Sequence, residues 1–334
     1  GCRIFFPRVA ETDDDVHNGQ IITYLSMSVE SEASHSLARE ARYLHQERVI
    51  TPAHRKAGEF IKTWSINPIH FTPPYDNAMV KKDIAYAEKM DSKFAALANT
   101  PEKQFYAKSA TVLEALSLDG IQNGWFENQK KPNTAVRAYH TSLYDDIVNG
   151  IDIIVRFEEQ GSSDYAGLAI DVTYGNMDIV REKIETEEKK ILNGKLSELK
   201  YFETENYHGK LKNVPRVIIG IDLGHVVTLA EKWTQSSETI GEDPMQIIVL
   251  REIAKQCEHF AHIASEEKRR LQKLEGSDSA LIKKLEAVIA IYEKNQKMFL
   301  DILRSKPMEM RALVTDKYPD RVSNNITDIS TSGL

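Results

Sequence analysis

Gly150-Ile151-Asp152-Ile153-Ile154-Val155 and Leu168-Ala169-Ile170-Asp171-Val172-Thr173 each set one aspartate inside a run of Ile, Val, Leu and Ala. Short runs this rich in β-branched residues read as buried strands. A carboxylate among such neighbours is costly to bury unless it is paired, hydrogen-bonded or bound to a cation. Between the two runs lies Gln160-Gly161-Ser162-Ser163-Asp164, which has the turn chemistry of a hairpin. The two aspartates are therefore expected on adjacent antiparallel strands, converging on one divalent cation. Magnesium suits such a place, because it binds through one or two carboxylates, several waters and substrate phosphate oxygens.

On either side the pattern completes an α/β unit. Thr100-Pro101-Glu102 starts a helix, with Thr as the cap, Pro in the first helical position and an acid in the first turn. That helix is expected to run to about residue 118, where Asp119-Gly120 ends it. Residues 135–144, 150–158 and 165–174 read as three strands, 177–199 as a charged helix, and 214–222 as a fourth, buried strand. The order is helix, three strands, helix, strand. Residues 1–99 read as a helical N-terminal region, with a helix over 30–54 that Thr51-Pro52 breaks, its resumption to residue 64, and another helix over 78–99. Asn67 to Tyr75 carries three prolines and reads as an ordered loop. Residues 225–334 read as a C-terminal helical hairpin, 244–274 and 279–303 joined at Gly276-Ser277-Asp278, with a polar tail.

Composition narrows the function classes. The 334 residues are 41% hydrophobic and 28% charged, with a net charge of -7, which argues against coating nucleic acid by bulk electrostatics but leaves room for a local basic groove. Two cysteines, Cys2 and Cys257, are too few for a disulfide framework or a thiolate metal site. The run Gly1–Phe6 has none of the segments of a signal peptide, and no apolar run is long enough to span a bilayer. A cytoplasmic chain with no membrane partner is expected.

The ordered combination resembles the PD-(D/E)XK nucleases, whose core is a helix, a three-strand meander, a helix and a strand. Their signature is an acid on the second strand, then Asp or Glu, any residue, and Lys on the third. Asp152 matches the first acid, and Asp171-Val172-Thr173 stands in the place of the triplet. Glu114, in Val112-Leu113-Glu114-Ala115-Leu116, matches the first-helix glutamate of archaeal-type Holliday-junction resolvases. The resemblance covers residues 100–224, and its motif is short and degenerate. It implies a restriction-endonuclease-like core with a four-stranded mixed sheet, flanked by helical N- and C-terminal additions. It further implies Mg²⁺- or Mn²⁺-dependent hydrolysis of DNA, with Glu114, Asp152 and Asp171 as metal ligands and Thr173 beside them in the catalytic set. Assembly into a homo-oligomer is left open.

One departure stands out: Thr173 replaces the family's lysine, and a hydroxyl orients water without supplying positive charge. Lys183 or Lys190, on the following helix, is expected to reach in instead. Arg137, His140 and Arg216 are expected phosphate contacts. Asp146 reads first as a turn acid and second as an outer ligand. His70, His208 and His225 lack metal-ligand spacing, and Gly220-Ile221-Asp222-Leu223-Gly224 lacks the remaining glycines and the Lys-Ser/Thr of a phosphate loop. The competing functions are a catalytically silent nuclease-like module that binds nucleic acid or protein, and a helical scaffold.

Overall fold

In a computed structural model of the chain, the two aspartate-bearing runs pair as antiparallel neighbours, β2 (Ile153–Glu159) and β3 (Tyr165–Tyr174), with Ile153 opposite Ile170. The structure describes residues 21–131, 133–159, 165–174, 177–204, 207–236, 240–274 and 278–317, so the turn expected at 160–164 lies outside the described residues. Strand β1 (Thr134–His140) pairs antiparallel with β2, and β6 (Arg216–Ile221) pairs parallel with β3. The result is a four-stranded mixed sheet of order β1-β2-β3-β6. Every residue of β6 is buried, as a parallel strand covered on both faces requires.

Helices α1 (Ile21–Trp64), α2 (Asn77–Leu97) and α3 (Pro101–Gly120) precede the sheet. Thr100 caps α3 as its sequence predicts, its hydroxyl accepting from the Lys103 amide at 3.3 Å. The chain divides into two compact units, Gly1–Glu47 and Arg48–Leu334. Pro52 does not break the first helix; α1 runs through it. An interior proline costs roughly 3 kcal/mol, and the complete burial of Ile50, Ala53 and Ala57 around it offsets that cost.

Two further expectations need correcting. Strand β1 stops at His140, and α4 (Leu143–Asn149) intervenes before β2. Ser142 caps α4 by accepting from the Asp145 amide at 3.0 Å, and Gly150 ends it in the left-handed conformation at φ 63°. The helix expected over 177–199 ends early, because α5 (Met177–Leu192) runs into Asn193-Gly194. A Cβ on Gly194, at φ +63°, would stand 2.6 Å from the Lys284 Cβ. The chain beyond it forms a hairpin, β4 (Ser197–Thr204) and β5 (Tyr207–Val214). Leu199, Tyr201, Phe202, Leu211 and Val214 of this hairpin share a core with Ile151, Ile154 and Ala169 of the sheet region. The buried Asp145 carboxylate anchors it by accepting from the amides of Lys200 (2.7 Å) and Tyr201 (3.0 Å).

After β6 come α6 (Leu223–Gln235), α7 (Met245–Gln272), α8 (Ser279–Ser305) and α9 (Met308–Lys317). The two long helices match the expected C-terminal pair; their joint at 275–277 and the tail beyond Lys317 lie outside the described residues. They seal the outer edge of the sheet with side chains. The Gln256 amide accepts from Ile218 N (2.9 Å) and donates to Ile218 O (2.6 Å), and Gly220 N donates to Glu252 at 3.3 Å. The Tyr292 hydroxyl meets both the N–H and the C=O of Arg216 at 3.3 Å. Residues 216, 218 and 220 thus find, every second residue, the polar partners that a fifth strand would have offered. Among the described residues no helix is long and apolar enough to cross a membrane.

Candidate active site

Tyr106, Ala110 and Glu114 recur every four residues on α3 and so share one face. They line a cleft of about 840 Å³ together with Asp146 of α4, Asp152, Thr173 of β3, Ile179 and Lys183 of α5, and Asp222 at the start of α6.

Asp152 is held by both neighbouring strands. Its N–H donates to Ile170 O at 3.0 Å, and its carbonyl accepts from Thr141 N at 2.9 Å. Asp152 stands one residue before β2, next to the first ladder pair, Ile153 with Ile170, and Asp171 is the residue after Ile170 on β3. The Asp152 Oδ2 accepts from Val172 N at 2.6 Å. Thr173, two residues past Asp171 on β3, shares its side of the strand and is buried.

Asp171 has a different environment from Asp152. Its Oδ1 lies 2.5 Å from Lys183 Nζ, and its Oδ2 pairs with the Arg216 guanidinium. Arg216 also reaches Glu187 at 3.2 Å, and Glu187 meets Lys190 at 3.1 Å. Burial lowers the Arg216 pKa, but the charges of Asp171 and Glu187 outweigh it and hold the group protonated. Arg216 is thereby committed to the protein interior and is removed from the expected phosphate contacts. Lys183 is the cation that enters the cleft, while Lys190 stays with Glu187.

Asp152 and Asp146 stand in a more acidic field. Burial first, and then the Asp171, Glu114 and Asp146 charges, raise the Asp152 carboxyl well above the ordinary range; the Val172 amide opposes them. Asp146 is pushed up to about 6, by burial first and then by Glu114, against the pull of His140 and of its hydrogen bond with Asp152. His140 Nε2 lies 3.5 Å from Glu114 Oε2, and its Nδ1 lies 3.2 Å from Ser65 Oγ. Burial depresses the His140 pKa, but Glu114 and Asp146 more than reverse this, leaving it raised. His140 therefore steadies Glu114 and is itself buried, unlike a side chain presented to phosphate. Arg137 is exposed and lines a separate hollow.

Carboxylates are the donors that a hard divalent cation takes. Glu114, Asp146 and Asp152 bring carboxylate oxygens to one cleft, and their mutual repulsion is what a hard dication would relieve. Among the described residues no group of three or more His, Cys, Asp or Glu side chains is placed to hold a metal ion by itself. Magnesium does not demand one, since waters and substrate oxygens complete its shell. Of the expected ligands, Glu114 and Asp152 line this space, whereas Asp171 has both oxygens engaged by cations. Asp146 stands where a third acid is wanted. Its signal was Ser142-x-x-Asp145 followed by Gly150: a cap and a stop define a short helix that sets Asp145 inward and Asp146 toward the cleft.

Asp222 caps α6 by accepting from Gly224 N at 2.8 Å, so Gly220–Gly224 is a strand-to-helix corner at the cleft rim. Compared with known proteins, the chain matches no family model, no curated protein and no solved structure.

Proposed function

We propose that this protein is a cytoplasmic, metal-dependent nuclease with a restriction-endonuclease-like core, hydrolysing phosphodiester bonds in DNA with Mg²⁺ or Mn²⁺. The observation that carries the reading is the meeting of Glu114, Asp146 and Asp152 with one lysine, Lys183, in a single open cleft. Glu114, Asp146 and Asp152 would hold the cation. When bound, it lowers the pKa of a water and offsets charge growing on the phosphate.

The chain's own residues do the rest. The Val172 amide fixes the rotamer of Asp152, and the His140 imidazole stands 3.5 Å from Glu114. Asp171, itself clamped by Arg216, holds the Lys183 ammonium at the cleft wall. A lysine there supplies the positive charge that the family places on β3 and that Thr173 lacks. The Thr173 hydroxyl remains able to orient a water.

The test is cleavage of labelled single-stranded, duplex and branched DNA, with RNA as a further arm, in Mg²⁺ and in Mn²⁺. Asp152→Asn and Lys183→Met are each expected to lower the rate at least about a hundredfold, the scale of losing one electrostatic contact to a transition state. Lys190→Met is expected to change it far less. The double engagement of Asp171 favours a second reading, a catalytically silent nucleic-acid-binding module. Wild-type protein that cuts nothing, beside a Thr173→Lys variant that does cut, would establish that reading and end the first.

A further inference from the structure

A second hollow, of about 440 Å³, lies beside β1 and is lined by Phe60, Trp64, Gln122, Asn123, Arg137 and Tyr139 among others. Its chemistry is mixed in a specific way. Trp64 is 39% exposed, whereas Trp125 and Trp233 are fully buried. Phe60 braces it, with ring centroids 6.4 Å from Trp64 and 6.0 Å edge-on from Trp233. The indole is thus held by packing, yet keeps part of its surface in water. Beside it stand two carboxamides, Gln122 and Asn123, and a guanidinium, Arg137. Gln122 donates from Nε2 to Ala138 O at 3.0 Å, which sets its orientation, and the Asn123 amide donates to buried Asp119 at 3.0 Å.

The hollow also adjoins the acidic cleft through covalent neighbours. Ser65 follows Trp64 and forms a parallel bridge with His140, whose imidazole meets Glu114 at 3.5 Å. A ligand seated on Trp64 would be one short relay from the proposed metal ligands.

We infer that this hollow is a subsite for an unpaired nucleobase of the nucleic acid whose backbone enters the acidic cleft; the inference rests on the nuclease reading for the identity of that backbone. The exposed indole offers a stacking platform, which every base can use through its π-face. The carboxamide oxygens of Gln122 and Asn123, whose nitrogens donate to Ala138 and Asp119, offer acceptors to a base edge, and the Arg137 guanidinium adds positive charge to the hollow. An extended peptide adding to the edge of β1 is the competing occupant. It is disfavoured because the Gln122 amide takes the Ala138 carbonyl and the Ile66 amide takes the His140 carbonyl at 3.0 Å, interrupting the ladder a new strand would need.

Because the other two tryptophans are buried, solvent-sensitive emission reports on Trp64. The experiment is titration of the protein in EDTA, where no cleavage occurs, with an eight-nucleotide oligothymidylate. The comparison arms are an abasic oligonucleotide of equal length and an unrelated extended peptide. Oligothymidylate is expected to quench the exposed emission and the other two are not. By fluorescence anisotropy of the labelled oligonucleotide, Trp64→Ala is expected to weaken binding about tenfold or more, the scale of one lost stack. Trp64→Phe keeps a platform, so it should bind within a few-fold of wild type while abolishing the quenching. Equal quenching by the abasic strand, quenching by the peptide alone, or unchanged affinity in Trp64→Ala would overturn the subsite. Loss of the subsite with DNA cleavage intact leaves the nuclease reading standing; base-dependent quenching without any cleavage leaves the subsite and removes the nuclease.

Discussion

Asp146→Asn should make the metal-free protein more stable at neutral pH, and the size of the gain follows from its surroundings. An ordinary aspartate releases its proton at 3.8, whereas in the folded chain Asp146 does so at about 6. The folded state therefore binds this proton more tightly than the unfolded state, which is the reverse of the usual sense for an acid. Below the unfolded value the group costs nothing. As pH rises from 3.8 to about 6 the unfolded chain ionises first, and stability falls by about 1.4 kcal/mol per unit. Above that window the penalty is constant at about 3 kcal/mol, or about 2 once the partial exposure of Asp146 is allowed for. Asparagine carries no charge at any pH, and its Nδ2 can donate to Asp152 as the shared proton did. Urea unfolding in EDTA should then show Asp146→Asn more stable by about 2 kcal/mol at pH 7.5 and level with wild type at pH 4. Magnesium should stabilise wild type at pH 7.5 by relieving the same repulsion, so the cation and the substitution should fall well short of additive. A variant no more stable than wild type at pH 7.5, or equally stabilised at pH 4, would refute the crowding of carboxylates on which the argument stands.

Two further outcomes test the frame around the cleft. Gln256→Leu keeps the volume of a buried side chain but strips Ile218 of both its partners; unfolding should become easier by roughly 2–5 kcal/mol, read from the urea midpoint, and a change below about 0.5 would show that α7 does not seal the β6 edge. Burial raises the Cys257 thiol far above its ordinary range, so Cys257 should resist thiol labelling at pH 8 in the native protein and react on unfolding; peptide mapping distinguishes it from Cys2.

Residues 150–174 by themselves announce two neighbouring strands, because two short apolar β-branched runs flank a stretch with turn chemistry. The stop at Gly194 was read through to residue 199, whereas Thr100-Pro101 and Asp278 act through contacts within a few residues, so those two helix starts were legible. The hairpin after Gly194 was not, because its strands Ser197–Thr204 and Tyr207–Val214 mix charged and apolar residues and only their packing under the sheet makes them strands. Pro52 misled for the complementary reason: a local rule was overruled by burial on both sides of it.

The division is sharpest at the site. Local sequence marked Glu114 on the first helix of the unit, Asp152 and Asp171 in the two apolar runs, and Lys183 as a lysine on the following helix. It could not apportion the cations, because that depends on Arg216, which lies 45 residues after Asp171 and meets it only across the parallel β3–β6 pair. Once Arg216 and Lys183 occupy Asp171, the uncompensated charge moves to Asp152 and to Asp146, an acid that looked like an ordinary turn residue. Chain-local chemistry determines which residues can carry charge; which of them stay uncompensated is decided by distances between elements, and those exist only when the sheet has closed.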